Sequence, residues 1–168
     1  MNNLLIINTG GTFNKRYNPL SGELEVDQEG SAIKSLLAKW LCEKIETVHI
    51  IGKDSLQMTS QDRFELLLTI NQTAKEKIII IHGTDTMHIT AEYLADSELE
   101  NKQVILTGAM VPYGIDPVEA TANFAAAIGY LANLDQSGVY ISMNGFVQHY
   151  RSLRKDPKAG RFVPKVVK

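Results

Sequence analysis

Ile78-Ile79-Ile80-Ile81-His82-Gly83-Thr84-Asp85-Thr86-Met87 is the stretch on which the fold turns. An unbroken β-branched run is what a strand covered on both faces requires, because in/out alternation vanishes when neither face meets water. The run stops at glycine and short polar residues, and Met87, Ala91, Leu94 and Ala95 then recur at helical spacing. Strand, polar turn and helix make up the unit of a parallel sheet, whose neighbouring strands need a crossover.

The same unit recurs on either side. Leu4–Ile7, Val48–Ile51, Val104–Leu106 and Val139–Met143 are further short apolar runs. Between them, Ser31 to Leu41 carries Ile33, Leu36, Leu37, Trp40 and Leu41 at the spacing of one buried helical stripe. Thr59 and Asp62 have capping-box spacing ahead of Phe64, Leu67 and Leu68, which are expected to form an inner face. Asp116 as N-cap, Pro117 at the first position and Glu119 in the first turn open a helix through Phe124, Ile128 and Leu131. The pattern predicts an α/β fold, a Rossmann-like three-layer sandwich with a mostly parallel sheet.

Two regions break the alternation. Phe13 to Asp27, with turn signals at Asn18-Pro19 and Ser21-Gly22, reads as a hairpin or a mobile loop. The basic segment 144–168 is either an ordered strap across the sheet edge or partly disordered. At 168 residues and 44% hydrophobic content, one domain spanning 1–168 is expected. The formal charge of −2, mixed along the chain, favours neither nucleic acid nor membrane, which leaves small molecules or proteins as partners. Cys42 stands alone and reads as a packed thiol. Met1-Asn2-Asn3 leads into too short an apolar run for a signal peptide, and the expected compartment is the cytoplasm.

Ligands of open parallel sheets bind beyond the carboxyl ends of the strands. Those ends carry Thr9-Gly10-Gly11-Thr12, Gly52-Lys53-Asp54-Ser55, His82 to Thr86, Thr107-Gly108-Ala109-Met110 and Asn144-Gly145. Glycines there admit a ligand to the backbone, and the Thr12 and Thr84 hydroxyls can attack or hold a carbonyl. The plain alternative is that such residues only cap helices, as Thr84 or Asp85 would for the third helix. A flavin-phosphate loop at Thr9–Thr12 is a rival reading, opposed by the inserted segment after it. No Gly-x-Gly-x-x-Gly or Gly-Lys-Ser/Thr loop is present, and His49, His82, His88 and His149 lack metal-ligand spacing. No cofactor or metal is expected.

Asn8-Thr9-Gly10-Gly11-Thr12 and His82-Gly83-Thr84-Asp85-Thr86-Met87 resemble the two signatures of bacterial L-asparaginases, in the same order and after the corresponding strands. The resemblance runs on through Asp54-Ser55, Leu106 to Met110 with Pro112, Met143-Asn144 and Lys155, and covers the chain as that family's larger, N-terminal domain. It implies hydrolysis of the side-chain amide of L-asparagine, or a related amide, to aspartate and ammonia. Thr12 matches the nucleophile, a role some accounts give to the match of Thr84. Thr84, Asp85 and Lys155 match a proton-moving group, although Lys155 also lies in a basic segment where it could be one more solvated charge. Ser55 matches the ligand of the substrate's α-carboxylate and Asp85 that of its α-ammonium group. Backbone N–H groups around Gly11, Gly83 and Ala109 are candidate substrate and oxyanion contacts. Tyr17 stands in for a loop tyrosine that closes over substrate in the family, closer to Thr12 than expected. The resemblance further implies a homodimer or higher homo-oligomer, and a smaller C-terminal domain that would come where this sequence ends. The competing expectation is an asparaginase-like domain that binds asparagine, aspartate or a protein without hydrolysis.

Overall fold

A computed structural model describes residues 2–41, 44–97 and 99–165. Cys42 lies outside the described residues. In chain order the elements are β1 (Leu4–Gly10), β2 (Lys15–Asn18), β3 (Glu23–Val26), α1 (Ser31–Leu36), β4 (Glu46–Lys53), α2 (Ser60–Gln72), β5 (Lys77–Ile81), α3 (Met87–Ala95), β6 (Gln103–Thr107), α4 (Pro117–Ala132), β7 (Gly138–Met143), β8 (Phe146–His149), β9 (Leu153–Asp156) and β10 (Arg161–Pro164). Six strands form one sheet in the order β4-β1-β5-β6-β7-β8. Its first five strands are parallel and β8 runs antiparallel to β7.

The isoleucine run accounts for the three layers. Ile78 and Ile80 join the core under α2 and α3, together with Leu66, Ile70, Met87, Ala91 and Leu94. Ile79 and Ile81 point the other way, into the core with Ile33, Phe124, Ala127 and Leu131 of α1 and α4. At roughly 25 cal/mol per Å² of apolar surface, burial on both faces makes β5, like β1 beside it, a main contributor to the stability of the sheet. Helix starts agree with the sequence signals. Thr59 and Asp62 form a reciprocal capping box on α2, and Asp116 accepts from Val118 N with Pro117 at the first position of α4. Each such cap contributes on the order of 1 kcal/mol.

Four expectations are refined. The inner face of α2 is Arg63, Leu66 and Ile70 with Leu67 packed beside them, whereas Phe64 and Leu68 are exposed, because the buried guanidinium of Arg63 takes the inward position. After Leu36 the first helix widens into a π turn, Leu37–Leu41; the wider turn rotates the last residues of the helix, so Trp40 leaves the stripe and is exposed. Phe13 to Asp27 is ordered as a 3₁₀ turn and the β2–β3 hairpin. Residues 144–165 are likewise an ordered strap: β8 pairs with β7, β9 pairs with β10, and Tyr150, Leu153 and Phe162 enter the core beneath α3.

Candidate active site

Three loops meet at the carboxyl edge, and glycine is what lets them. A Cβ on Gly11 would lie 2.4 Å from Gly83 N, and one on Gly83 would lie 2.6 Å from Ser55 Cβ. Gly11 also has φ 74°, a conformation that costs other residues energy. The turns after β1, β4 and β5 are therefore in backbone contact. The β4 turn is steered there by a break in register. Between the pairs Asn8–His49 and Gly10–Lys53, β1 advances two residues while β4 advances four. The slack is taken up where Ile51 and Gly52 both adopt positive φ, 71° and 63°. For a β-branched residue such a φ stores strain, and here it accompanies the turning of the chain toward Asp54 and Ser55.

Thr12 opens a short 3₁₀ turn, Thr12–Asn14, that leaves β1 at the edge. The turn is held on either side of the hydroxyl. Phe13 is fully buried and stacks on Tyr113 at 6.1 Å, and Asn14 Nδ2 donates to Gly10 O at 2.8 Å and to Asn8 Oδ1 at 2.7 Å. Thr12 itself is half-buried, and its hydroxyl has no hydrogen-bond partner among the described residues.

Thr84 does not cap α3. The N-cap is Thr86, and the Thr84 hydroxyl instead accepts from Lys155 Nζ at 2.8 Å. The same ammonium reaches Asp85 Oδ1 at 2.6 Å. Lys155 is not one more solvated charge, since its side chain is only 15% exposed. It is delivered by the strap: β9 pairs Lys155 with Phe162, whose ring is buried and whose N–H donates to Asn144 Oδ1 at 2.8 Å. A cleft of about 480 Å³ opens beside this pair, lined among others by Asp85, His88, Met110, Arg154 and Lys155. A further cleft of about 730 Å³, against Tyr130, Tyr140 and His149, shares none of the motif residues. Its volume is therefore no guide to the chemistry.

The other expected residues are placed less directly. Ser55 is fully enclosed; its hydroxyl lies 3.4 Å from Thr86 N, and its carbonyl accepts from Thr86 Oγ1 at 2.8 Å. Ala109 is buried behind a turn whose next two N–H groups, Met110 and Val111, donate to Glu119 Oε2 at 3.0 and 3.1 Å. Tyr17 lies on β2, mostly exposed, and its hydroxyl bonds to no described residue. Asp54 pairs with Lys15 at 2.7 Å, which ties the hairpin to the Ser55 turn. Burial pushes the Asp54 carboxyl up, but the hydrogen bonds from Lys15 and Leu56 N and the charges of Lys15 and Lys155 together hold it below its ordinary value.

Sequence reasoning missed Arg63, Thr90 and Asn123, which fix these loops. Arg63 donates through Nε to Thr90 Oγ1 at 3.1 Å, and Thr90 in turn lies 2.9 Å from His82 Nε2, while His82 Nδ1 is 2.7 Å from Gly83 O. Gly83 O can only accept, so Nδ1 carries the proton, and the chain runs Arg63 to Thr90 to His82 to the carbonyl of Gly83. Full burial is the main cause that lowers the His82 imidazole to about 4, the Gly83 bond opposing and the Arg63 charge assisting. On the far side, Asn123 donates to Gly108 O at 2.9 Å and accepts from Asn144 N at 2.9 Å, joining the turns after β6 and β7. Among the described residues no group of three or more His, Cys, Asp or Glu could hold a metal ion, and no helix is long and apolar enough to cross a membrane.

Residues 3–158 match the family model described as Asparaginase, N-terminal. The chain is 28% identical over 153 residues to a glutamyl-tRNA(Gln) amidotransferase subunit of Methanococcus maripaludis (strain C6), covering 86% of this chain and 35% of that protein. It is 26% identical over 164 residues to the glutaminase-asparaginase of Pseudomonas fluorescens biotype A, covering 91% and 45%. The thermostable L-asparaginase from Thermococcus kodakarensis shares the fold with a TM-score of 0.78 at 22% identity, over 96% of this chain and 50% of that one. The chain thus spans half or less of the length of these proteins.

Proposed function

The chain belongs to the asparaginase family, and from that membership we propose that it hydrolyses the side-chain amide of L-asparagine, or of a closely related amino acid amide, to the acid and ammonia. The observation that carries the reading is the Lys155 ammonium seated 2.8 Å from Thr84 Oγ1 and 2.6 Å from Asp85 Oδ1. A hydroxyl and a carboxylate that share one lysine nitrogen form a path for a proton once that nitrogen is an amine, which is what attack by a neutral alcohol on an amide requires.

In this reading Thr12, whose hydroxyl has no partner among the described residues, attacks the amide carbon. Its proton passes by way of Thr84 to the amine form of Lys155, and Asp85 holds the resulting ammonium. The proton then goes to the leaving nitrogen as the C–N bond breaks, and water hydrolyses the Thr12 ester along the same path in reverse. The Gly11 N–H is already given to Lys53 O at 2.9 Å and those of Met110 and Val111 to Glu119, so the candidate donors to the oxyanion are the backbone N–H groups around Gly83 and Thr84. Asp85, about half exposed, is also suited to a substrate ammonium group. Ser55, enclosed as it is, contributes to substrate binding only if its turn shifts. The cytoplasm as compartment and self-association as assembly belong to the same proposal.

Ammonia release from L-asparagine, with L-glutamine and D-asparagine alongside, tests it in the native chain and in Thr12→Ala, Thr84→Ala and Lys155→Met. Release that each substitution lowers by about 10²-fold or more supports the reading. Binding of asparagine or aspartate without release from any amide would sink it and leave an amino acid binder. A second reading, delivery of the nitrogen to a partner, is favoured by the amidotransferase among the relatives.

A further inference from the structure

On the reading of Thr12 as the attacking hydroxyl, we propose that His49, acting through Asn8, is a positioning residue for the Thr12 turn, and that it does so only with its Nδ1 unprotonated. Neither residue touches the proposed proton path. The direction of each hydrogen bond decides the matter.

Asn8 is buried at the end of β1. Its Oδ1 accepts from Asn14 Nδ2 at 2.7 Å and from Gly10 N at 3.3 Å. Asn14 also donates from its backbone N to Gly11 O at 3.1 Å, so it closes the turn in which Thr12 sits. Two donors converging on one atom identify that atom as the amide oxygen. The amide nitrogen then faces His49, 3.1 Å from Nδ1. An NH₂ group has only protons to offer, so Nδ1 must present its lone pair and the ring proton must sit on Nε2.

Protonation of Nδ1 sets donor against donor. The relief available to Asn8 is to turn its amide over, which places NH₂ against Asn14 Nδ2 and Gly10 N, and the Thr12 turn loses both of its bonds to Asn8. On the Gly30 side the ring has no room to step aside. A Cβ on Gly30 would lie 2.3 Å from His49 Nδ1 and 2.9 Å from Asn8 Nδ2, and Gly30 has φ 65°. The charged groups around the ring oppose one another: Lys34 on α1 disfavours the imidazolium, and Asp27 in the turn before α1 favours it, itself 3.7 Å from Arg16 of β2. Burial first, and Lys34 second, hold the His49 imidazole below its ordinary 6.5, with Asp27 acting against them. For a base of depressed pKa the neutral ring, and with it the positioning, is complete above the ordinary value and is lost as pH falls through the lowered one.

The test is the pH profile of amide hydrolysis for the native chain, His49→Gln, His49→Leu and Gly30→Ala, with circular dichroism at each pH to confirm folding. Glutamine offers an amide oxygen to Asn8 at every pH. His49→Gln should therefore keep kcat at pH 7 within about threefold and lose only the part of the acid limb that lies below 6.5, keeping the part that protonation of Lys155 imposes, whereas His49→Leu and Gly30→Ala should lower kcat about tenfold with little change in KM. An acid limb unchanged in His49→Gln, or full activity in His49→Leu, overturns the proposal. A second readout does not depend on turnover: ¹⁵N spectra of the imidazoles, assigned by comparison with His49→Gln. They should show His49 as the Nε2–H tautomer, with the Gly10 and Asn14 amides shifting as it titrates. The other tautomer, or amides that ignore the titration, overturns the proposal. If no amide is hydrolysed the enzyme reading fails by itself, and these spectra still decide the role of His49.

Discussion

Arg63→Leu should loosen the loops of the candidate site and lower the stability of the whole domain with them. Arg63 is 8% exposed and donates to Met58 O and Thr59 O at 3.2 Å, to Thr90 Oγ1 at 3.1 Å and to Thr86 Oγ1 at 3.3 Å. Leucine keeps the apolar stem and removes every donor. The four bonds do not count equally. Thr59 O keeps the backbone N–H of residue 63, and the two threonine hydroxyls retain His82 Nε2 and Ser55 O as acceptors. Among the described residues Met58 O alone loses its donor outright, at a cost of about 1–3 kcal/mol for a buried acceptor, and the charge-assisted bonds to the hydroxyls add about 1 kcal/mol more. The expected loss is therefore about 3 kcal/mol, a sizeable fraction of the roughly 5–15 kcal/mol that holds a domain folded. With a urea slope of about 2 kcal/mol/M, the midpoint should fall by about 1.5 M, read by circular dichroism and tryptophan fluorescence at constant pH. Arg63→Lys should recover less than half, since an ammonium cannot span the same fork of acceptors. A loss below about 1 kcal/mol, or equal stability of the lysine and leucine variants, would refute the view that the guanidinium holds these loops.

The same region yields two further expected outcomes. His82 is lowered to about 4 from 6.5, so the unfolded chain takes up a proton at acid pH that the folded chain refuses; stability should be complete above about pH 6.5 and lower by about 2 kcal/mol at about pH 5. Urea midpoints at the two pH values should diverge, and the divergence should shrink in His82→Asn; if it persists unchanged, other groups carry it. Gly83→Ala places a methyl 2.6 Å from Ser55 Cβ and should drive the two turns apart, lowering amide hydrolysis by about tenfold or more and the melting temperature by several degrees. A Gly83→Ala protein with native activity and an unchanged melting curve would show that the turns are not in contact as described.

Much of the fold was legible because its signals are local. The isoleucine run, the Thr59–Asp62 capping box and the Asp116-Pro117 start concern residues a few positions apart, and each appears where its spacing predicts. Local signals also misled. Phe64, Leu67 and Leu68 suggested the inner face of α2; Leu67 does pack against the core, but periodicity reports a period and not which arc faces the sheet, and Arg63, with four acceptors, stands inward where Phe64 and Leu68 do not.

The sequence by itself determined the order of strands and helices and the loops that carry Thr12, Thr84 and Asp85, since strand ends and helix starts depend on neighbours along the chain. The tertiary structure alone decided which side chains meet. Lys155 reaches Thr84 across 71 positions, Arg63 reaches Thr90 across 27, and His49 reaches Asn8 across 41. A lysine in a basic segment and a histidine in a strand carry no local mark of a partner. The energy of each pair depends on a distance of about 3 Å and on exclusion of water, and both arise only when the sheet has closed and the strap has crossed it.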